Sequence, residues 1–415
     1  MTDLADSLAD ALDVELAAAD AEVAALHPGD PGTRQPVHTV YVPAHRFSRG
    51  IVTDWGTRAL EVFDAAAGDL PSIWDAPADL RGRVRDKLAT EPIEDLRIDF
   101  EDGYGTRSDA EEGAEIVRAA EELTAAVAAG AAPPFTGIRF RSFEAATRRR
   151  GVRTLVGFVG ELCARGGVPS GFVVTLPKVT ALAQVTALVA TCESLEAEFG
   201  LPAGTLRFEI QVETPQSVIG PDGASPLPRM IAEGAGRCTG LHYGTYDYSA
   251  SLGIAAEYQS MEHPAADHAK AVMQVAAAGT GVRLSDGSTN VLPVGDPEQV
   301  RAAWALHGRL VRRSLERGFY QGWDLHPAQL PSRFVANFAF FQGSAESAAA
   351  RLRAYRERSE SGFMDEPATA TALSGFLLRG VDCGALDDEW VQKATGADAH
   401  ELARLARRPA PGPHR

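Results

Sequence analysis

The chain has 415 residues, 45% hydrophobic and 23% charged, with a formal net charge of -16. That length suits one large domain with a smaller addition, and the acidic balance excludes nucleic acid, whose phosphates need clustered Lys and Arg. It also excludes an anionic membrane surface, and no apolar run reaches the roughly 18 residues that span a bilayer.

Residues 1–36 read as an Ala-rich acidic helix followed by a linker. The helix runs to about residue 26 and reads as a solvated or subunit-contact face. The linker HPGDPGTRQP is broken by three prolines and two glycines. An acidic start of this kind argues against a secretory signal or an Arg-rich transit peptide. The four cysteines, Cys163, Cys192, Cys238 and Cys383, stand far apart with no CxxC. They are expected to be buried thiols in a cytoplasmic protein, not a zinc or disulfide set.

Residues 37–330 alternate short β-type runs with longer helical stretches. The strands are expected at HTVYVP (38–43), LRIDF (96–100), GIRFRS (137–142) and GFVVTLP (171–177). They continue at RFEIQVE (207–213), TGLHYG (239–244), GVRLSDG (281–287) and GWDLHP (322–327). Helical patterns such as AEEGAEIVRAAEELTAAVAAG lie between most of them. Eight strands alternating with helices predict an α/β fold, a TIM (β/α)8 barrel. A doubly wound sheet is the rival, but no GxGxxG sits between a strand and a helix, and no GxxxxGK[ST] occurs. The long connection 45–95 is expected to hold a helix and an inserted loop. Residues 331–405 read as a C-terminal helical lid or oligomerisation segment, and residues 406–415 as a disordered tail.

Barrel enzymes carry their chemistry at the C-terminal ends of the strands. Here those ends hold Glu101 and Asp102, Arg139 and Arg141, Lys178, Glu213, Asp247 and His326. Glu213 and Asp247 follow neighbouring strands, so their carboxylates can converge. Two carboxylates with water and substrate oxygens make an ordinary Mg²⁺ site, with Mn²⁺ as the alternative ion. The competing reading has each acid capping a helix or pairing with an arginine. Lys178 reads equally as the partner of a nearby acid. His326 reads as an oriented, hydrogen-bonded core histidine or as a base. Arg141 is expected to pair with Glu101 or to bind substrate.

Several segments, in order, resemble the HpcH/HpaI aldolase and citrate lyase beta-subunit family. They are YVPA, RIDFEDGYG, IRFRS, TLPKV, IQVETPQSV, LHYGTYDYSASLG, LHPAQL and GFMDEPATATA. The resemblance implies a magnesium-dependent carbon–carbon lyase that works through an enolate. Its substrate would be a hydroxy- or 2-oxo acid, or the CoA thioester of one. It places the metal on Glu213 and Asp247, a substrate carboxylate or developing charge on Arg139, and Glu101 and Asp102 near the metal through water. It also makes Asp365 an acid/base group that reaches in from a neighbouring subunit, which implies a homo-oligomer. Departures from the pattern are Gln321-Gly322 at a Gly-Lys doublet, His38 at an arginine and Arg141 at an asparagine. They bear on CoA recognition and substrate identity. A thioester hydrolase on the same scaffold and a non-catalytic metabolite-binding protein are the other readings.

Overall fold

A computed structural model describes residues 2–65, 79–357 and 366–407. A long helix, α1 (Thr2–Leu26), opens the chain and is exposed along Leu4–Leu26. The strands are β1 (His38–Pro43), β2 (Asp95–Asp99), β3 (Phe135–Arg139), β4 (Phe172–Leu176), β5 (Arg207–Val212), β6 (Cys238–Tyr243), β7 (Arg283–Ser285) and β8 (Gly322–Asp324). They pair in parallel in the order β7-β6-β5-β4-β3-β2-β1-β8. A bridge between Ser285 and Gln321 joins the two edges, so the sheet closes into a barrel. A doubly wound sheet would leave those edges open and its strand order would reverse.

Helices follow the strands as expected, and the first connection is richer than one helix. After β1 come α2 (Ile51–Ala65) and α3 (Leu80–Thr90); residues 66–78 lie outside the described residues. The next connections carry α4 (Asp109–Ala128), α5 (Arg148–Ala164) and α6 (Leu182–Phe199). Then come α7 (Pro215–Val218), α8 (Leu227–Glu233), α9 (Thr245–Ser251), α10 (Pro264–Ala277) and α11 (Pro297–Glu316). The C-terminal part adds α12 (Leu330–Glu357), α13 (Pro367–Asp382), α14 (Asp388–Thr395) and α15 (Ala399–Leu405). Local chemistry sets several starts. Ser108 and Glu111 form a capping box on α4, and Asp296, Pro297 and Gln299 do the same for α11.

The strand alternation has an inverted meaning. Leu96 and Ile98 of β2 are fully buried in the main apolar core, which also contains Phe158 of α5 and Leu123 of α4. Asp95, Arg97 and Asp99 of the same strand are also buried. Arg97 bonds to Thr175 of β4 and Glu209 of β5, strands that do not adjoin β2, so its face lines the barrel interior. The strand is therefore buried on both sides, apolar outward and charged inward, and not half-buried as its alternation suggests.

Two strands end earlier than expected. β3 stops at Arg139, which leaves Arg141 beyond it, and β8 stops at Asp324, ahead of His326. Asp324 is fully buried and binds His38, His307 and Arg333 together, which ties β1 and β8 to α11 and α12. Its carboxyl is held well below the usual range, because Arg333 and the two histidines outweigh the cost of burial. All four cysteines are free thiols; Cys192, Cys238 and Cys383 are buried as expected, whereas Cys163 is half-buried. Among the described residues no helix is long and apolar enough to cross a membrane.

Candidate active site

The C-terminal mouth of the barrel gathers acids from three strand ends. Asp99 ends β2. Its carboxylate accepts two 2.7 Å hydrogen bonds from Arg139, at Nε and Nη2. It also accepts the backbone N–H groups of Glu101 at 3.0 Å and Gly103 at 2.9 Å. Asp99 thus fixes the arginine and folds the acid loop. Gly103 has a steric reason to be glycine, since a Cβ there would stand 2.6 Å from Asp99 Oδ2.

Glu101 and Asp102 then turn toward Lys178, which lies just past β4. The Lys178 ammonium is 2.9 Å from Glu101 Oε1, 2.9 Å from Asp102 Oδ2 and 3.6 Å from Asp247 Oδ1. Its backbone N–H donates to Glu213 Oε1 at 2.7 Å. Glu213 follows β5 and is 2% exposed, whereas the side chain of Asp247 on α9 is 45% exposed. Gly244 admits the Glu213 carboxylate: a Cβ there would stand 2.5 Å from Glu213 Cβ and 2.6 Å from Oε2.

The charges do not balance. Five carboxylates (Asp99, Glu101, Asp102, Glu213 and Asp247) face two cations, Arg139 and Lys178. Burial pushes the Glu213 carboxyl up to about 7; Lys178 opposes the rise and Asp247 adds to it. Glu101 is also raised, chiefly by burial. For Asp102, burial is outweighed by its hydrogen bond with Glu101 and by the charges of Arg139 and Lys178, which hold it low. Burial would lower Lys178, but Glu213, Glu101, Asp102 and Asp247 together raise it.

A second layer lies inside the barrel beneath these acids. Arg139 stacks over the Tyr41 ring at 4.7 Å, and Tyr41 packs against Trp323 at 4.7 Å. Gln211 is fully buried on β5, two residues before Glu213. Neither atom of its amide meets a hydrogen-bond partner among the described residues, nor do the Tyr41 hydroxyl and Trp323 Nε1. Lower still, Arg97 joins Asp95 and Glu209, and Glu209 faces His242 at 3.1 Å. A cavity of about 1060 Å³ opens at this opposite mouth, away from the acid cluster.

Comparison with known proteins places the chain. Residues 16–410 match the family described as a domain of unknown function, DUF6986. The chain belongs to the DUF6986 family. No curated protein matches it. Among solved structures, the magnesium/glyoxylate complex of Haloferax volcanii malate synthase is similar to this DUF6986 chain. The identity is 16%, over 89% of this chain and 97% of that one, with a TM-score of 0.51. The same enzyme at 3 mM glyoxylate matches at 13% identity over 84% and 86%, with a TM-score of 0.50. The family named from the motifs is also represented, by an HpcH/HpaI aldolase/citrate lyase family protein from Burkholderia cenocepacia J2315. There the identity is 16% over 77% and 95%, with a TM-score of 0.38. At such identities the likeness to the malate synthase is one of fold.

The fold of this DUF6986 chain brings Glu101, Asp102, Arg139, Lys178, Glu213 and Asp247 into one cluster. It takes two others elsewhere. Arg141 donates to the Gly105 carbonyl at 2.7 Å and lies 3.7 Å from Glu112, so its partner is not Glu101. His326 accepts from Ala328 N–H and caps a short 3₁₀ turn, with its pKa lowered by burial and by Arg58. Asp365 lies outside the described residues. Sequence reading passed over Asp99 as the anchor of Arg139. It also passed over Gln211, which the period-2 step back from Glu213 places on the same inward face.

A divalent cation fits this cluster. Its donors are carboxylate oxygens, its charge is in deficit, and the Lys178 ammonium already stands where a cation is wanted. Among the described residues no three His, Cys, Asp or Glu side chains form a ready cage. Mg²⁺ does not need one, since it keeps several waters and takes one or two carboxylates.

Proposed function

We propose that this DUF6986 protein is a carbon–carbon lyase or aldolase. It acts on a hydroxy- or 2-oxo acid, or on the thioester of one, through an enolate and with Mg²⁺ or Mn²⁺. The observation that carries this reading is the surplus of carboxylates over cations at the C-terminal mouth, with a buried, raised Glu213 at its centre. The fold is shared with a malate synthase solved with magnesium and glyoxylate, and glyoxylate is a 2-oxo acid.

Glu213 and Asp247 would hold the ion. Bound there, a divalent cation supplies Lewis acidity toward the carbonyl and carboxylate oxygens of such a substrate. Arg139 keeps Nη1 directed toward the cluster, 3.5 Å from Glu101, while Asp99 fixes its other two donors. A pre-positioned guanidinium of this kind stabilises negative charge as it develops. Gln211 and Tyr41, buried below, supply neutral hydrogen-bonding groups on the inward face. Asp365 is the proposed group that moves the proton, acting from a neighbouring subunit of a homo-oligomer.

Proton NMR in D2O tests the proposal. Pyruvate, oxaloacetate, acetyl-CoA with glyoxylate, and malyl- and citramalyl-type thioesters are each incubated with protein and Mg²⁺, with and without EDTA. EDTA-sensitive deuterium exchange or bond cleavage is expected with at least one of them. Release of free CoA without any carbon–carbon change would replace the lyase by a hydrolase. Full turnover by Glu213→Gln would refute the site.

A further inference from the structure

Lys178 holds an unusual position. Its φ is +52°, a backbone region that L-residues other than glycine seldom adopt, and only three non-glycine residues among those described have a positive φ. Lys178 holds this geometry even though glycine would adopt it more easily. The consequence is that both ends of one residue meet the acid cluster. The backbone N–H holds Glu213, while the ammonium reaches Glu101, Asp102 and Asp247. One residue therefore touches acids that follow β2, β5 and β6. No other cation among the described residues lies within salt-bridge distance of Asp247.

The ammonium stands 3.6 Å from Asp247 Oδ1, one of the oxygens a divalent ion would take, and 2.9 Å from the neighbouring Glu101 and Asp102. A lysine ammonium and a divalent ion compete for one group of carboxylates, because like charges a few ångström apart repel. We propose that Lys178 is the resident counter-ion of this site. Its ammonium holds the converging carboxylates together before the metal enters, yields them when it arrives, and thereby sets the metal affinity. Lys178 is a positioning residue in this account. The metal half of the inference rests on the function proposed above, while the counter-ion half concerns the metal-free protein alone.

The test uses full-length protein stripped with EDTA. Lys178→Met removes the charge and keeps most of the side-chain length. Lys178→Gly removes the charge and relieves the positive φ, so it separates charge from backbone strain. Lys178→Arg retains the charge. Each protein is titrated with MnCl2 by calorimetry and by electron paramagnetic resonance, and each is melted in EDTA. Lys178→Met and Lys178→Gly are expected to bind Mn²⁺ at least about tenfold tighter than the parent, since a competing charge is gone. In EDTA, Lys178→Met is expected to melt below the parent, with Lys178→Arg closer to it. Mn²⁺ binding by the parent with equal or weaker binding by both neutral variants would overturn the exchange. Lys178→Met melting at or above the parent in EDTA would overturn the counter-ion role, whether or not metal binds. Absence of Mn²⁺ binding in the parent and in every variant would instead remove the metal reading and the exchange with it, leaving the EDTA melts to decide the counter-ion role.

Discussion

Replacing Glu213 by Gln should make the metal-free protein more stable above neutral pH. The Glu213 carboxyl is buried and pushed up to about 7, because burial disfavours its charged form and Asp247 adds repulsion. Each pH unit between the unfolded and folded pKa is worth about 1.4 kcal/mol, so holding the group ionised at pH 8 costs the folded state roughly 3 kcal/mol. The sign follows from proton counting. Between the unfolded pKa near 4.5 and the folded value near 7, the folded state binds more protons than the unfolded one, so stability falls as pH rises through this window. The glutamine side chain would keep the oxygen that accepts the Lys178 N–H and would remove the charge. In EDTA, urea unfolding should therefore show Glu213→Gln more stable than the parent by up to about 3 kcal/mol at pH 8, with the gap closing near pH 5. Mg²⁺ should stabilise the parent and leave the variant unchanged, because a ligand stabilises only the state that binds it. A variant less stable than its parent at pH 8, or a gap that does not change with pH, would refute the buried-charge account.

Other consequences are equally direct. Gly244→Ala places a Cβ 2.5 Å from Glu213 Cβ, so the carboxylate must move; Mn²⁺ affinity measured by calorimetry should fall by roughly tenfold or more, about 1.4 kcal/mol. Arg139→Lys retains the charge but loses the two-pronged bond to Asp99; deuterium exchange into substrate should slow by on the order of 100-fold in a protein that still folds. Asp324→Asn strands Arg333 and two histidines in the core; it should cost about 3–5 kcal/mol in urea unfolding. The folded pKa of Asp324 is depressed, so its contribution is present above the unfolded carboxyl pKa and is lost as acid titrates it toward the much lower folded value. The stability gap between Asp324→Asn and its parent should accordingly narrow below about pH 4.

Much of the fold was legible because it is written in local periodicity. Eight short β-type runs separated by helical stretches made a barrel the economical reading, and all eight strands occur at the expected places within a few residues. The rule that barrel chemistry sits at strand ends then pointed to Glu101, Asp102, Arg139, Lys178, Glu213 and Asp247 as one cluster. Strand limits were less legible, because the hydrogen bonds that end a parallel strand come from its neighbours. Arg141 and His326 look like strand-end residues in the sequence, yet one lies against Glu112 and the other caps a turn.

Tertiary structure alone decided who pairs with whom. The run Asp99–Glu101–Asp102 shows three acids near a glycine, but nothing local says that Asp99 is occupied by Arg139 while Asp102 faces Lys178. Nor does it say that the charged face of β2 points into the barrel, since alternation marks two faces without telling which one meets the helices. Closing eight strands into a ring settles that question. It brings residues far apart in sequence within hydrogen-bond distance, and at that range burial and charge determine which acid is neutralised by a neighbour and which is left to hold a cation.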